Sequence, residues 1–251
     1  MTEATILVDA STDRVVVTLN RPDVRNAIDQ RMVDDLHDIC GVLESDPRVL
    51  LVQGSGGTFA AGADIGQLRE RGRDDALRGI NSGLFDRIRR LPMPTIALIE
   101  GYALGGGAEL AYACDFRLGT PTTKIGNPEP GLGILAAAGA TWRLAELVGE
   151  PVAKEILLAG RILDAAEAHA LRLLNEVVEI VEDGDLLAAG HRWADRITAS
   201  APLAVRLTKA LFHAPREAHP LIDDVAQAVL FETTEKRDRM SAFLDRRKKK
   251  P

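Results

Sequence analysis

Apolar residues in the first half of the chain fall in short runs of strand character, each closed by turn-forming residues. ATILVDASTDRVVVTLNRP (residues 4–22) gathers Ile, Leu, Val and Thr on either side of a polar break at Ala10 to Asp13, which predicts two strands around a turn. Asp29 is then placed to cap a helix on which Met32, Val33, Leu36, Ile39, Cys40 and Leu43 recur at helical spacing. RVLLVQGSG predicts a buried strand ended by Gly54, Ser55, Gly56 and Gly57, and PTIALIEG another, which feeds the run GYALGGGAEL and a helix around Glu109 to Ala113. Between them, residues 64–90 are polar and rich in arginine, and predict a mobile surface loop followed by a helix. DFRLGT and TKIGNPE predict two short strands with a loop between.

After Gly139 the pattern turns helical. TWRLAELVG closes at Gly149, PVAKEILLAG opens on a proline suited to a first helical position and closes at Gly160, and helical stretches follow over roughly 184–198, 202–213 and 217–239. Strands interleaved with helices, then helices alone, define an α/β core with a helical appendage. Low-complexity linkers and solenoid-period repeats are absent from the sequence.

Composition narrows the function classes. At 251 residues, 46% hydrophobic and 27% charged, the chain has an ordinary globular make-up, and a net charge of -6 argues against nucleic-acid binding by its body. The basic end RRKKKP (246–251) reads as a solvated helix terminus. Cys40 and Cys114 sit in apolar surroundings without metal-ligand spacing and read as buried thiols. An acidic N-terminus without a signal-length apolar stretch, and no membrane-length apolar window, make the cytoplasm the expected location.

Phosphate-loop, dinucleotide-fingerprint and nucleophile-elbow motifs are missing, and the five histidines are scattered. Two similar constructions remain. FAAGAD (59–64) and LGGGAE (104–109) each follow a buried strand and consist of small residues ending in an acid. Both suit tight strand–helix turns. Both also allow a ligand close to the backbone, so that N–H groups from two turns converge on one oxygen. Glu129, between Pro128 and Pro130 in GNPEPGLG, is either an exposed loop acid or a rigidly held carboxyl whose ionisation is costly, and in the second case it suits proton transfer alongside Glu109.

NRPDVRNAID, GTFAAGADI, PTIALIEGYALGGGAELAYACDFRLGT, IGNPEPGLG and MSAFLDRRK together resemble, in order, the signature segments of the enoyl-CoA hydratase/isomerase (crotonase) superfamily, over about residues 5 to 249. The resemblance implies a crotonase-like spiral of repeated ββα units, with an α/β core carrying the active site over 1–195 and a C-terminal helical oligomerisation region over 196–251. It implies an enoyl-CoA hydratase, with the backbone N–H groups of Ala63 and Gly106 as oxyanion hole. Glu109 then orients and deprotonates water, and Glu129 protonates Cα. Arg25, Ala61, Ala63, Asp64, Ile65 and Arg246, with Arg247 beside it, are the implied coenzyme A contacts. No cofactor is implied beyond the coenzyme A of the substrate, and no nucleic-acid or membrane partner. The implied assembly is a homotrimer or a hexamer built as a dimer of trimers. A Δ3,Δ2-enoyl-CoA isomerase, another crotonase-type acyl-CoA enzyme and a non-catalytic acyl-CoA binder are the alternatives.

The segment ILAAAGATWRL (134–144) departs from the family pattern. Ala136 and Ala137 stand where Pro-Gly is common, Ala140 where a glycine is, and Trp142 where glutamine is. Added methyl groups there are expected to narrow the acyl pocket and to alter how water is held.

Overall fold

The structure is a computed structural model that describes residues 4–248. The polar break after Ala10 closes an antiparallel hairpin of β1 (Ile6–Ala10) and β2 (Arg14–Leu19). Asp29 caps α1 (Gln30–Ser45) by accepting the Met32 N–H at 2.8 Å, and Met32, Val33, Leu36, Cys40 and Leu43 form the buried stripe of this helix. β3 (Val49–Gly54) follows and lies parallel to β2.

The stretch expected as a mobile loop and one helix folds instead as α2 (Ile65–Glu70), α3 (Arg73–Arg78) and α4 (Ile80–Arg89). Local caps hold the short helices. The Asp64 carboxylate accepts the Gln67 N–H at 3.1 Å, Asp75 accepts the Gly72 N–H at 3.0 Å, and Gly79 joins α3 to α4 in the left-handed region at φ 64°. Their charged residues mark a wet face, while α4 buries Leu84, Phe85 and Ile88.

β4 (Thr95–Ile99) is buried throughout and leads into β5 (Tyr102–Leu104), α5 (Gly106–Ala113), β6 (Phe116–Gly119) and β7 (Lys124–Gly126). After α6 (Ala140–Val148) and α7 (Glu150–Ala159) the chain is not purely helical. β8 (Ile162–Asp164), α8 (Ala165–Ala170) and β9 (Glu176–Val177) intervene, the strands being too short to show a period of their own.

The strands form a six-stranded sheet of order β1-β2-β3-β4-β6-β9 and a three-stranded sheet of order β5-β7-β8. β4 in the large sheet hands over to β5 in the small one and then to α5, and β6 hands over to β7 in the same way. The segment after β3 repeats the step, since Ala60 bridges Ala103 of β5 in parallel. This repetition is the spiral of ββα units, and it stacks the two small-residue runs side by side.

Two compact units divide at Ala194/Asp195, within α9 (Asp185–Thr198). The second holds α10 (Pro202–Leu211), α11 (Leu221–Phe231) and α12 (Thr234–Lys248). The stretch 217–239, expected as one helix, breaks at Thr233, whose hydroxyl donates to the Leu230 carbonyl at 2.7 Å and accepts the Lys236 N–H at 3.2 Å. One side chain thus ends α11 and caps α12.

Candidate active site

The three glycines before α5 serve three different contacts. A β-carbon on Gly107 would lie 2.1 Å from the Ala60 carbonyl oxygen, so only glycine lets the helix start this close to the neighbouring run. Gly105 has φ 52° and ψ -124°, a conformation open to glycine, and a β-carbon there would lie 3.0 Å from Glu129 Oε1. Gly106 faces the other small-residue run: its missing β-carbon would be 3.3 Å from the Ala63 backbone nitrogen.

The N–H groups around Ala63 are committed in alternation. Ile28 donates to the Gly62 carbonyl at 2.8 Å, and Asp64 donates to the Ile28 carbonyl at 2.9 Å, which turns the Ala63 N–H to the opposite side. Gly106 is the first residue of α5, where an N–H has no partner within the helix. Among the described residues no backbone carbonyl accepts from either of these amides. Both residues line a cavity of about 460 Å³, together with Glu109, Glu129, Ile65 and Ala138.

Glu109 projects from the first turn of α5 and is 5% exposed. Its Oε1 accepts two backbone N–H groups, from Ala138 at 2.7 Å and from Ala140 at 3.1 Å. Ala140 opens α6, so the carboxyl sits at that helix's positive end. Burial nevertheless prevails and pushes the Glu109 carboxyl up to about 7, the nearby Glu129 charge adding to it against the two amides. Glu129 begins the short turn Glu129–Leu132 between its two prolines and is likewise raised by burial, although it accepts from Asn127 Nδ2 at 3.3 Å. Its Oε2 is buried with no hydrogen-bond partner.

Asn127 and Tyr112 were not singled out from the sequence, yet they set Glu129. The Tyr112 hydroxyl donates to Asn127 Oδ1 at 3.1 Å, which turns the amide NH2 toward Glu129 and toward the Gly105 carbonyl at 3.4 Å. The available signals were slight: Asn127 lies two residues before Glu129, and Tyr112 lies one helical turn beyond Glu109. Arg117 was also missed. Its buried guanidinium donates to the carbonyls of Leu173 at 2.7 Å, Ala111 at 3.2 Å and Cys114 at 2.6 Å, which ties down the C-terminal end of α5.

The other candidates are placed more loosely. Arg25, at φ 53°, offers its carbonyl to the Ala61 N–H at 2.9 Å, so these two residues adjoin. Ala61 and Ile65 line the large cavity, whereas the Asp64 carboxylate is taken up by the α2 cap and by Arg21 at 3.3 Å. Arg246 lies on α12 in the second unit, its Nε donating to the Ala242 carbonyl at 3.2 Å, with Arg247 beside it. Of the departures, Ala136 and Ala140 are buried, Ala137 lines the cavity wall, and Trp142 is stacked by Arg89 at 4.9 Å.

This fold recurs in known proteins. The chain matches the Enoyl-CoA hydratase/isomerase family over residues 11–250 and belongs to it. It is 34% identical to the short-chain-enoyl-CoA hydratase of Clostridium acetobutylicum, covering 93% of this chain and 92% of that protein. It is 35% identical to the crotonyl-CoA hydratase of Syntrophomonas wolfei, covering 97% and 96%. The crystal structure of an enoyl-CoA hydratase from Bacillus anthracis superposes with a TM-score of 0.89 at 30% identity, over 96% of each chain.

Proposed function

We propose that this enzyme adds water across the 2,3 double bond of a 2-enoyl-CoA thioester. The observation that carries the reading is the pairing of two buried carboxyls, Glu109 and Glu129, in one cavity with the amides of Ala63 and Gly106. The two amides take the thioester oxygen as it gains enolate charge, a kind of stabilisation in which each donor contributes about 3–4 kcal/mol. Glu109, ionised, accepts the proton of a water that attacks Cβ. Glu129, protonated, delivers a proton to Cα, so the product gains one water in all and the carboxyls end with their charges exchanged. Isomerisation needs only one shuttling carboxyl; the held pair favours hydration.

Arg25, Ala61, Asp64 and Ile65 bound the coenzyme A end of this site, with Asp64 acting through its backbone. The chemistry uses no cofactor besides the coenzyme A carried by the substrate. The second unit leaves Val225, Val229, Phe243 and Leu244 exposed, a face that subunit contacts in a trimer or hexamer would cover. Light scattering tests that assembly.

Loss of absorbance at the enoyl-thioester band with crotonyl-CoA tests the reaction. Glu109→Gln and Glu129→Gln are each expected to lose about 10²–10⁴-fold in kcat. Wild-type hydration by Glu109→Gln would overturn the two-carboxyl mechanism.

A further inference from the structure

A second cavity, of about 270 Å³, adjoins the first at Glu109 and shares Ser82, Ala137 and Ala138 with it. Its remaining wall includes Phe85, Asp86 and Arg89 from α4, with Trp142 and Arg143 from α6. On the hydratase reading, an acyl chain continuing past the reacting carbons at Glu109 would enter this space.

Arg89 is the unusual member of that wall. Its side chain is 12% exposed, its Nε is buried without a hydrogen-bond partner, and its closest carboxylate, Asp86, stands 4.0 Å off. That carboxylate is already engaged at 2.7 Å by Arg90. The Trp142 ring, 4.9 Å from the guanidinium carbon, braces the group from one face, and the Nε–H is left without an acceptor. A buried donor of a charged group is costly to leave without an acceptor, because its desolvation is not offset. Arg143 adds a second cation to the wall, held by Glu146 at 3.0 Å and by the Tyr112 carbonyl at 3.3 Å. Arg89, Arg90 and Arg143 against Asp86 and Glu146 leave one positive charge in excess around this wall.

We infer that the preferred acyl group ends in a carboxylate, carried into this second cavity to accept hydrogen bonds from the Arg89 guanidinium, its unpartnered Nε–H included. The planar fork of arginine matches a carboxylate with two parallel hydrogen bonds, whereas a methyl-ended chain would leave the Nε–H buried and unpaired. The inference rests on the hydratase reading for the direction in which the acyl chain runs.

Calorimetry with two unreactive ligands of equal chain length, glutaryl-CoA and valeryl-CoA, tests it by binding alone. The wild-type protein is expected to bind glutaryl-CoA about tenfold more tightly. Arg89→Met is expected to abolish that preference, and Arg89→Lys, which keeps the cation, to retain part of it. Equal or weaker binding of glutaryl-CoA by the wild type overturns the inference, as does an unchanged preference in Arg89→Met. If the preference holds while no 2-enoyl-CoA is hydrated, the carboxylate site stands and the hydratase reading falls.

Discussion

Glu129 lies over Gly105: a β-carbon on that glycine would stand 3.0 Å from the Glu129 Oε1 and 3.4 Å from its carboxyl carbon. The glycine run is therefore part of how the Glu129 carboxyl is seated. Gly105→Ala meets both this contact and a backbone at φ 52°. It is expected to cost about 1–3 kcal/mol of stability. It should also lower kcat with crotonyl-CoA more than it raises KM, because the Glu129 carboxyl, the proposed proton donor, is displaced. Urea unfolding and steady-state kinetics on the variant check both effects.

The raised carboxyl of Glu109 makes stability depend on pH. Between the ordinary value of 4.5 and about 7, the folded protein holds a proton that the unfolded chain has released. Stability attributable to this group therefore falls as pH rises through that window, and the penalty is complete above it. Glu109→Gln removes the penalty while its amide oxygen still accepts from Ala138 and Ala140. The variant should gain about 2–3 kcal/mol relative to wild type between about pH 5 and about pH 8. Urea midpoints at the two pH values measure the gain.

The same groups shape the rate. The proposed hydration uses one carboxyl ionised and the other protonated, and burial raises both, so kcat/KM should pass through a maximum between the two ionisations of the pair. A flat profile with crotonyl-CoA from weakly acid to weakly alkaline pH would count against these roles.

Ala138 contributes its N–H rather than its methyl group. Ala138→Pro deletes the 2.7 Å hydrogen bond to Glu109 Oε1, which stabilises the anion. The acid limb of the pH–rate profile should move to higher pH, with kcat at neutral pH down about tenfold.

Arg117 is buried, and that burial lowers it to about 10 while carbonyls at the end of α5 surround it. Arg117→Met leaves those carbonyls without a donor and should cost about 3 kcal/mol in urea unfolding. Loss of stability without change in the pH–rate profile would mark its role as support for the helix.

Several elements were legible because their signals are local. The hairpin at Ser11–Asp13, the Asp29 cap and the buried strands at Val49–Gly54 and Thr95–Ile99 follow from side-chain period and capping chemistry within a few residues. The helices at 65–89 were not, because charged residues on one wet face hid the caps that hold them. β5, β8 and β9 span too few residues to show alternation and exist through their pairing partners.

For the site, the sequence alone determined the residue types: small residues where backbone must be approached, two glutamates in apolar settings, and an ordered set of segments shared with a known family. Tertiary structure decided what they do to one another. That Gly106 faces the Ala63 amide, that Tyr112 orients Asn127 beneath Glu129, and that Arg89 is left buried beside an open cavity all depend on chain segments distant in sequence meeting across the spiral. Burial and hydrogen bonding are properties of that meeting, so no local pattern of residues could have carried them.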